Sequence, residues 1–172
     1  MGDSCFYSGE FSKGKKNGIG TYKWIDNTKY EGEIKNNFFH GYGIYIYNDG
    51  RKYSGHWNKN YIDGFGEMSW IEGNKYCGFY KNNKKDGFGI YYSPNEKIYI
   101  GFWKEGRQDG FGKYIYKNKI KYGIWKKGKM EKQYENEQTF DNDILNSNIK
   151  SNIFKWDINI IKNFLGININ EN

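Results

Sequence analysis

A tyrosine recurs every 23 residues, at Tyr7, Tyr30, Tyr53, Tyr76 and Tyr99, and Tyr122 continues the series. Self-similarity at one fixed period marks a chain built from a single supersecondary unit, so it constrains the fold more than any isolated segment. Two residues after each of the first five tyrosines stands a glycine (Gly9, Gly32, Gly55, Gly78, Gly101). Two further on lies a large apolar group: Phe11, Ile34, Trp57, Tyr80 or Trp103. A Gly-x-Gly then follows, at Gly18/Gly20, Gly41/Gly43, Gly64/Gly66, Gly87/Gly89 and Gly110/Gly112. Tyr22, Tyr45, Met68, Tyr91 and Tyr114 come two residues later.

Each unit reads as two short strands of period 2 joined by a turn. Gly14, Asn37, Asn60, Asn83 and Gly106 sit where the turn needs positive φ. Asp26-Asn27, Asp49-Gly50, Glu72-Gly73 and Asn95-Glu96 supply the same chemistry between units. Repeated hairpins predict a mainly β fold: an elongated, twisted antiparallel meander whose units touch mainly their neighbours. Composition agrees, because the chain has no Ala, no Val and only two Leu, which disfavours a helical bundle or a parallel sheet. Alternation puts Tyr, Gly and Trp of the first strand on one face with both glycines and the Tyr of the second. Bare glycine opposite a ring lets the ring lie flat on backbone. The expected product is a trough floored by rings: Tyr30, Tyr53, Trp57, Tyr76, Tyr80, Tyr99 and Trp103, with Tyr45, Tyr91 and Tyr114.

The strings Tyr30-Glu-Gly-Glu-Ile34 and His40-Gly-Tyr-Gly-Ile-Tyr-Ile-Tyr-Asn-Asp-Gly50 resemble the MORN (membrane occupation and recognition nexus) repeat. So do Tyr53-Ser-Gly-His-Trp57 with Asp63-Gly-Phe-Gly66, and Tyr99-Ile-Gly-Phe-Trp103 with Asp109-Gly-Phe-Gly112. The resemblance implies an elongated sheet that binds proteins, including helical segments of motor and scaffold proteins, or acidic phospholipid. It divides the chain into a repeat sheet over 1–130, with units starting near 7, 30, 53, 76 and 99 and a partial one from 122. A linker is expected over 131–150 and a C-terminal helix and tail over 151–172. In the partial unit Tyr122-Gly-Ile-Trp125 is one residue shorter before its glycine, which leaves its pairing open.

Past Met130 the glycine spacing stops. Residues 1–130 hold 23 basic against 13 acidic side chains, a charge of +10, whereas 131–172 hold 4 against 7, or −3. From Ser151 the apolar period becomes helical: Ile153, Trp156, Ile160 and Phe164, joined by Ile161 and Leu165. The arc is too wide to face water, so the helix is expected to fold back onto the troughs of its own sheet or onto a second copy. Phe65, Phe79, Phe88, Ile90, Ile100, Phe102 and Phe111 fall on the face opposite the tyrosines. That face also needs cover, from the tail, a second chain or a partner.

Catalytic motifs fail on context. Gly9-Glu-Phe-Ser-Lys-Gly14-Lys15 has a phosphate-loop outline, but Lys16 replaces the Ser or Thr and no strand–loop–helix unit follows. His40 and His56 lack partners at ligand spacing, and Cys77 reads as small-residue packing. Asp63, Asp86 and Asp109 read as turn-shaping residues, since equivalent units stand about 10 Å apart, too far to share a proton. The expectation is a non-enzyme with neither cofactor nor metal. Two cysteines and no long apolar run point to a cytoplasmic chain, with the membrane periphery or cytoskeleton as a location. Gly2 and Cys5 outline an acylation signal in which Phe6 replaces Ser or Thr.

The hairpin tips carry Lys13, Lys15, Lys16, Lys35, Lys59, Lys81, Lys84, Lys85, Lys104 and Arg107 against one acid, Glu105. In-phase repeats line these tips along one edge, with Phe38-Phe39 and Tyr61-Ile62 at its middle. Cations beside aromatics suit an anionic membrane surface at about 1 kcal/mol each; solvated lysines that block edge pairing give the same composition. Nucleic acid is the poorer match, because the repeat itself explains the rings. Three functions therefore compete: a scaffold whose trough takes a helical partner, a membrane-peripheral adaptor using the basic edge, and an accessory module of an enzyme complex.

Overall fold

The computed structural model describes residues 5–117 and 119–147. Twelve strands follow one another: β1 (Cys5–Ser12), β2 (Lys15–Trp24), β3 (Lys29–Lys35), β4 (Phe38–Ile46), β5 (Lys52–Asn58) and β6 (Tyr61–Ser69), then β7 (Lys75–Lys81), β8 (Lys84–Ser93), β9 (Lys97–Lys104), β10 (Arg107–Tyr116), β11 (Lys119–Lys126) and β12 (Lys129–Tyr134). Their order in the sheet is their order in the chain, and each pairs antiparallel with the next. The expected meander is the fold.

The hairpin tips close as expected. Asn36 and Asn37 have φ of 52° and 70°, Lys59 and Asn60 49° and 70°, Asn82 and Asn83 47° and 67°. Two successive left-handed residues make the primed turn whose twist matches a sheet. The second residue of each of these tips, an Asn, also ties the tip to the preceding hairpin. Asn60 Oδ1 accepts from Phe39 N at 2.7 Å while Asn60 N donates to Phe39 O at 3.1 Å. Asn37 clasps Lys16 and Asn83 clasps Ile62 in the same way.

Gly-to-Gly pairs hold the centre of the register: Gly9↔Gly20, Gly32↔Gly43, Gly55↔Gly66, Gly78↔Gly89 and Gly101↔Gly112. A bulge follows each first-strand glycine, so Glu33 and His56 drop out of the ladder. The leading glycine of each Gly-x-Gly is therefore not part of the ring bed. Gly41 (φ 57°) and Gly64 (φ 107°) serve the bulge, and a β-carbon at Gly41 would run into the Glu33 side chain on the other face.

Two features of the C-terminal end go beyond the five-fold repeat. β11 pairs with β10 of the fifth hairpin, with Gly112↔Gly123 and Lys113↔Tyr122, and β12 completes the sixth hairpin across a register shift at Ile124/Trp125. Because Gly123 arrives one residue early, it keeps the glycine row while Tyr122 turns to the opposite face. The segment expected as a linker instead carries the end of β12 and a helix, α1 (Glu137–Asn146). Asn136 caps it, its side chain accepting from Thr139 N at 3.0 Å. Phe140 and Ile144, one turn apart, are buried against Phe111, Tyr122, Ile124 and Tyr134. Lys113–Glu137 and Lys132–Asp143 flank that contact at 2.5 and 2.8 Å. Acidic composition hid this helix, whose anchor is only two apolar side chains. The helix expected over 151–165, with Ile153, Trp156, Ile160, Ile161, Phe164 and Leu165, lies outside the described residues, as does Gly2, while Cys5 is exposed at the start of β1.

Candidate functional site

The ring-bearing face is built by one device repeated along the sheet. Each repeat tyrosine lies over paired glycines, and its hydroxyl donates to the bulge carbonyl three residues on. The bonds are Tyr7 to Glu10 O (2.9 Å), Tyr30 to Glu33 O (2.7 Å), Tyr53 to His56 O (3.0 Å), Tyr76 to Phe79 O (3.1 Å) and Tyr99 to Phe102 O (3.1 Å). The bulge takes that carbonyl out of the ladder, and the phenol satisfies it. Trp57 and Trp103 tilt edge-on against these rings at 5.3–5.6 Å, and their Nε1 atoms donate to Gly43 O and Gly89 O at 3.2 Å. Tyr80 takes the same position between them, but its hydroxyl is buried with no hydrogen-bond partner among the described residues.

This packing revises the trough. Tyr30, Tyr53 and Tyr76 are 0% exposed and Tyr99 1%, and Trp57, Tyr80 and Trp103 are also buried. Seven of the ten expected floor residues therefore form the core of a single-layer sheet. Burial pushes the Tyr30, Tyr53, Tyr76, Tyr80 and Tyr99 hydroxyls well above the ordinary phenol range. Tyr45, Tyr91 and Tyr114 remain half-buried on that core, joined by Trp24, Tyr47 and Trp70, which the repeat pattern had not singled out. These three lie where each unit leaves its second strand for the link, one alternation beyond the counted motif. Together the six make a discontinuous aromatic strip along the array.

The basic edge divides as well. Lys13, Lys15, Lys35, Lys59, Lys81, Lys84, Lys104 and Arg107 are exposed, with Lys84 paired to Glu105. Lys16 and Lys85 turn inward. Lys85 Nζ stands 4.5 Å from the Trp103 ring centre, 4.6 Å from Tyr76 and Tyr91, and 5.3 Å from Trp70. Burial pulls its ammonium down to about 8, while the four ring faces favour its charge. Of the apolar tip pairs, Phe39 stacks on Tyr30 at 3.8 Å and Ile62 is buried, whereas Phe38 and Tyr61 stay exposed.

The remaining polar candidates have structural partners. Asp63, Asp86 and Asp109 accept from Asn82 N, Glu105 N and Lys127 N at 3.2–3.3 Å, each steadying the next tip. His56 Nδ1 meets Phe65 O at 3.0 Å. Cys77 is buried and its thiol pushed up to about 12. Among the described residues no group of three His, Cys, Asp or Glu could hold a metal ion, and no helix is long and apolar enough to cross a membrane.

No curated protein matches the chain. The model of the MORN repeat matches five times, at 7–29, 30–50, 53–75, 76–97 and 99–120. Those spans are the first five hairpins and their links, and such repeats are in general protein- or membrane-interaction modules. With most of its length matched and the tyrosine-on-glycine hairpin in each matched unit, the chain belongs to the MORN repeat family.

Proposed function

We propose that this protein is a non-catalytic scaffold that takes a helical segment of a partner protein along the half-buried aromatic strip. The observation that carries the reading is the strip itself: Tyr45, Tyr91 and Tyr114 with Trp24, Tyr47 and Trp70, half-exposed on a floor of fully buried rings. Rings held by a rigid floor lose little side-chain entropy on binding. Equivalent rings in successive hairpins lie two strand spacings apart, about 9.6 Å. A helix advances about 10.5 Å in seven residues. A helix laid along the array therefore offers one apolar residue per hairpin in near register.

The test is selection from a display library of amphipathic helices several heptads long. Selected sequences should carry apolar residues every seven positions, and Trp70→Ala with Tyr91→Ala should weaken them at least tenfold. Tyr42→Ala, on the opposite face, should not. Selection without that period, or binding indifferent to Trp70 and Tyr91, would overturn the reading.

A second reading rests on Phe38 and Tyr61, exposed at successive tips beside Lys35 and Lys59. Aromatic tips among cations fit an acidic phospholipid surface. Co-sedimentation with phosphatidylserine vesicles across a salt series tests it: loss of binding with salt and with Phe38→Ser supports it, and salt-insensitive binding contradicts it.

A further inference from the structure

The second face of the sheet changes character halfway along. Read across the ladder, one row runs Glu31, Ile44, Ser54, Glu67 through β3–β6 and then Cys77, Ile90, Ile100 through β7–β9. On the polar half Tyr42 is 50% exposed, as expected for one side of a single sheet. On the apolar half Cys77 is 3% exposed, Phe88 6%, Ile90 1%, Ile98 5% and Ile100 6%. On the first face tilted Trp rings of the sheet itself close over the buried tyrosines. Cys77, Ile90, Ile98 and Ile100, however, carry no ring that could fold over a neighbour, and flanking side chains shield them only from the sides. Exposures this low call for a layer above the sheet.

Among the described residues the only element off the sheet is α1, and its two anchors pack on side chains of β10, β11 and β12. We propose that residues 151–165 of the same chain form a helix that lies across the second face over β7–β10 and covers this patch. The chain delivers that segment to the right place, because α1 already sits on that face and its C-cap Ser147 is extended. Three residues, 148–150, separate Ser147 from the start of that helix and span about 14 Å when extended. The patch begins beside the α1 anchor, and each strand crossed adds about 4.8 Å. A fifteen-residue helix is about 22 Å long, against about 14 Å between the axes of β7 and β10. Ile153, Trp156, Ile160 and Phe164 fall on one helical face and match a surface of Ile, Phe and Cys without a charge at its centre. The short tether favours docking on the same chain over exchange with a second copy. The aromatic strip of the first face then stays open for a partner, so the tail is a structural cover rather than an occupant of that strip.

Cys77 lies at the patch and reports on its cover, because only an accessible thiolate reacts. In the full chain with Cys5→Ser, the thiol should react with a disulfide reagent at least a hundredfold more slowly than in denaturant. Ile160→Asp should speed that reaction at least tenfold while the β-sheet circular dichroism remains. As a measurement that does not disturb the core, Trp156→Cys, Ile160→Cys and Phe164→Cys should be made singly in the Cys5→Ser chain. At least one should form an intramolecular disulfide with Cys77, detected by mass spectrometry of the monomer. Absence of all three crosslinks, or crosslinks found only between chains, overturns the proposal. So does a Cys77 as reactive in the native chain as in denaturant, or one whose protection falls on dilution together with the mass of a dimer.

Discussion

Tyr53 rests its ring on the bare backbone of Gly66, where a β-carbon would stand 2.6 Å from Tyr53 Cζ. The same glycine's α-carbon would stand 2.5 Å from a β-carbon built on Gly55, its cross-strand partner. Ring and glycine pair thus occupy one volume between them, and neither partner tolerates exchange. Gly66→Ala should cost at least about 2 kcal/mol, because a fully buried ring cannot withdraw. Gly106→Ala should cost about 1–2 kcal/mol: its tip has open space around it, and only its φ of 83° opposes a side chain. Denaturant unfolding of both variants measures the difference, and equal losses would contradict the ring-on-glycine account.

Truncating the ring itself separates packing from hydrogen bonding. Tyr53→Ala should cost about 3–5 kcal/mol, as large aromatic truncations in packed sites do. Tyr53→Phe keeps the packing and leaves His56 O without its 3.0 Å donor, at about 1–2 kcal/mol. A loss below about 1 kcal/mol for the alanine variant would mean that the ring is a contact surface and not core.

Tyr80 carries a buried hydroxyl without a partner among the described residues, in the place where Trp57 and Trp103 donate to glycine carbonyls. Tyr80→Phe removes that polar group and should raise stability by about 1 kcal/mol. By the repeat offset, Tyr80→Trp aims its Nε1 at Gly66 O and should stabilise further. A Tyr80→Phe variant that melts lower than the parent would show that the hydroxyl is satisfied in solution.

Lys85 gives the fold a pH signature. Burial lowers its folded value to about 8 from an ordinary 10.5, so between these values the unfolded chain holds a proton that the folded chain has released. Stability therefore rises with pH across that window. The buried tyrosines act oppositely: their hydroxyls stay protonated above the ordinary value of 10, so stability falls as pH climbs past it. The melting temperature should climb from pH 8 to about 10 and then drop. Lys85→Met should abolish the climb and keep the drop. A climb that survives in Lys85→Met would assign it to another group.

The sequence alone determined the meander. A 23-residue period with positive-φ residues at each turn admits one local solution, a hairpin, and hairpins joined by short links pair with their neighbours. Because side chains alternate strictly, the period also told which face Tyr30, Tyr53, Tyr76 and Tyr99 take. It could not tell how far they are buried. A ring drawn on one face of a single sheet looks like a surface until the bulge at Glu33 or His56 offers its carbonyl and the neighbouring Trp leans over it. Only the tertiary arrangement converts the trough floor into core and leaves Tyr45, Tyr91 and Tyr114 as the accessible rings. The same holds for the leading glycines, whose bulge role depends on pairing across two strands, and for Tyr122, which one missing residue turns to the other face. α1 escaped because two apolar side chains in an acidic segment carry little periodic signal. Phe140 and Ile144 become an anchor only where β10–β12 place Phe111, Tyr122, Ile124 and Tyr134 beneath them. Local pattern encodes pairing and facing; depth of burial is a property of what lies above and beside, and distant parts of the chain supply that.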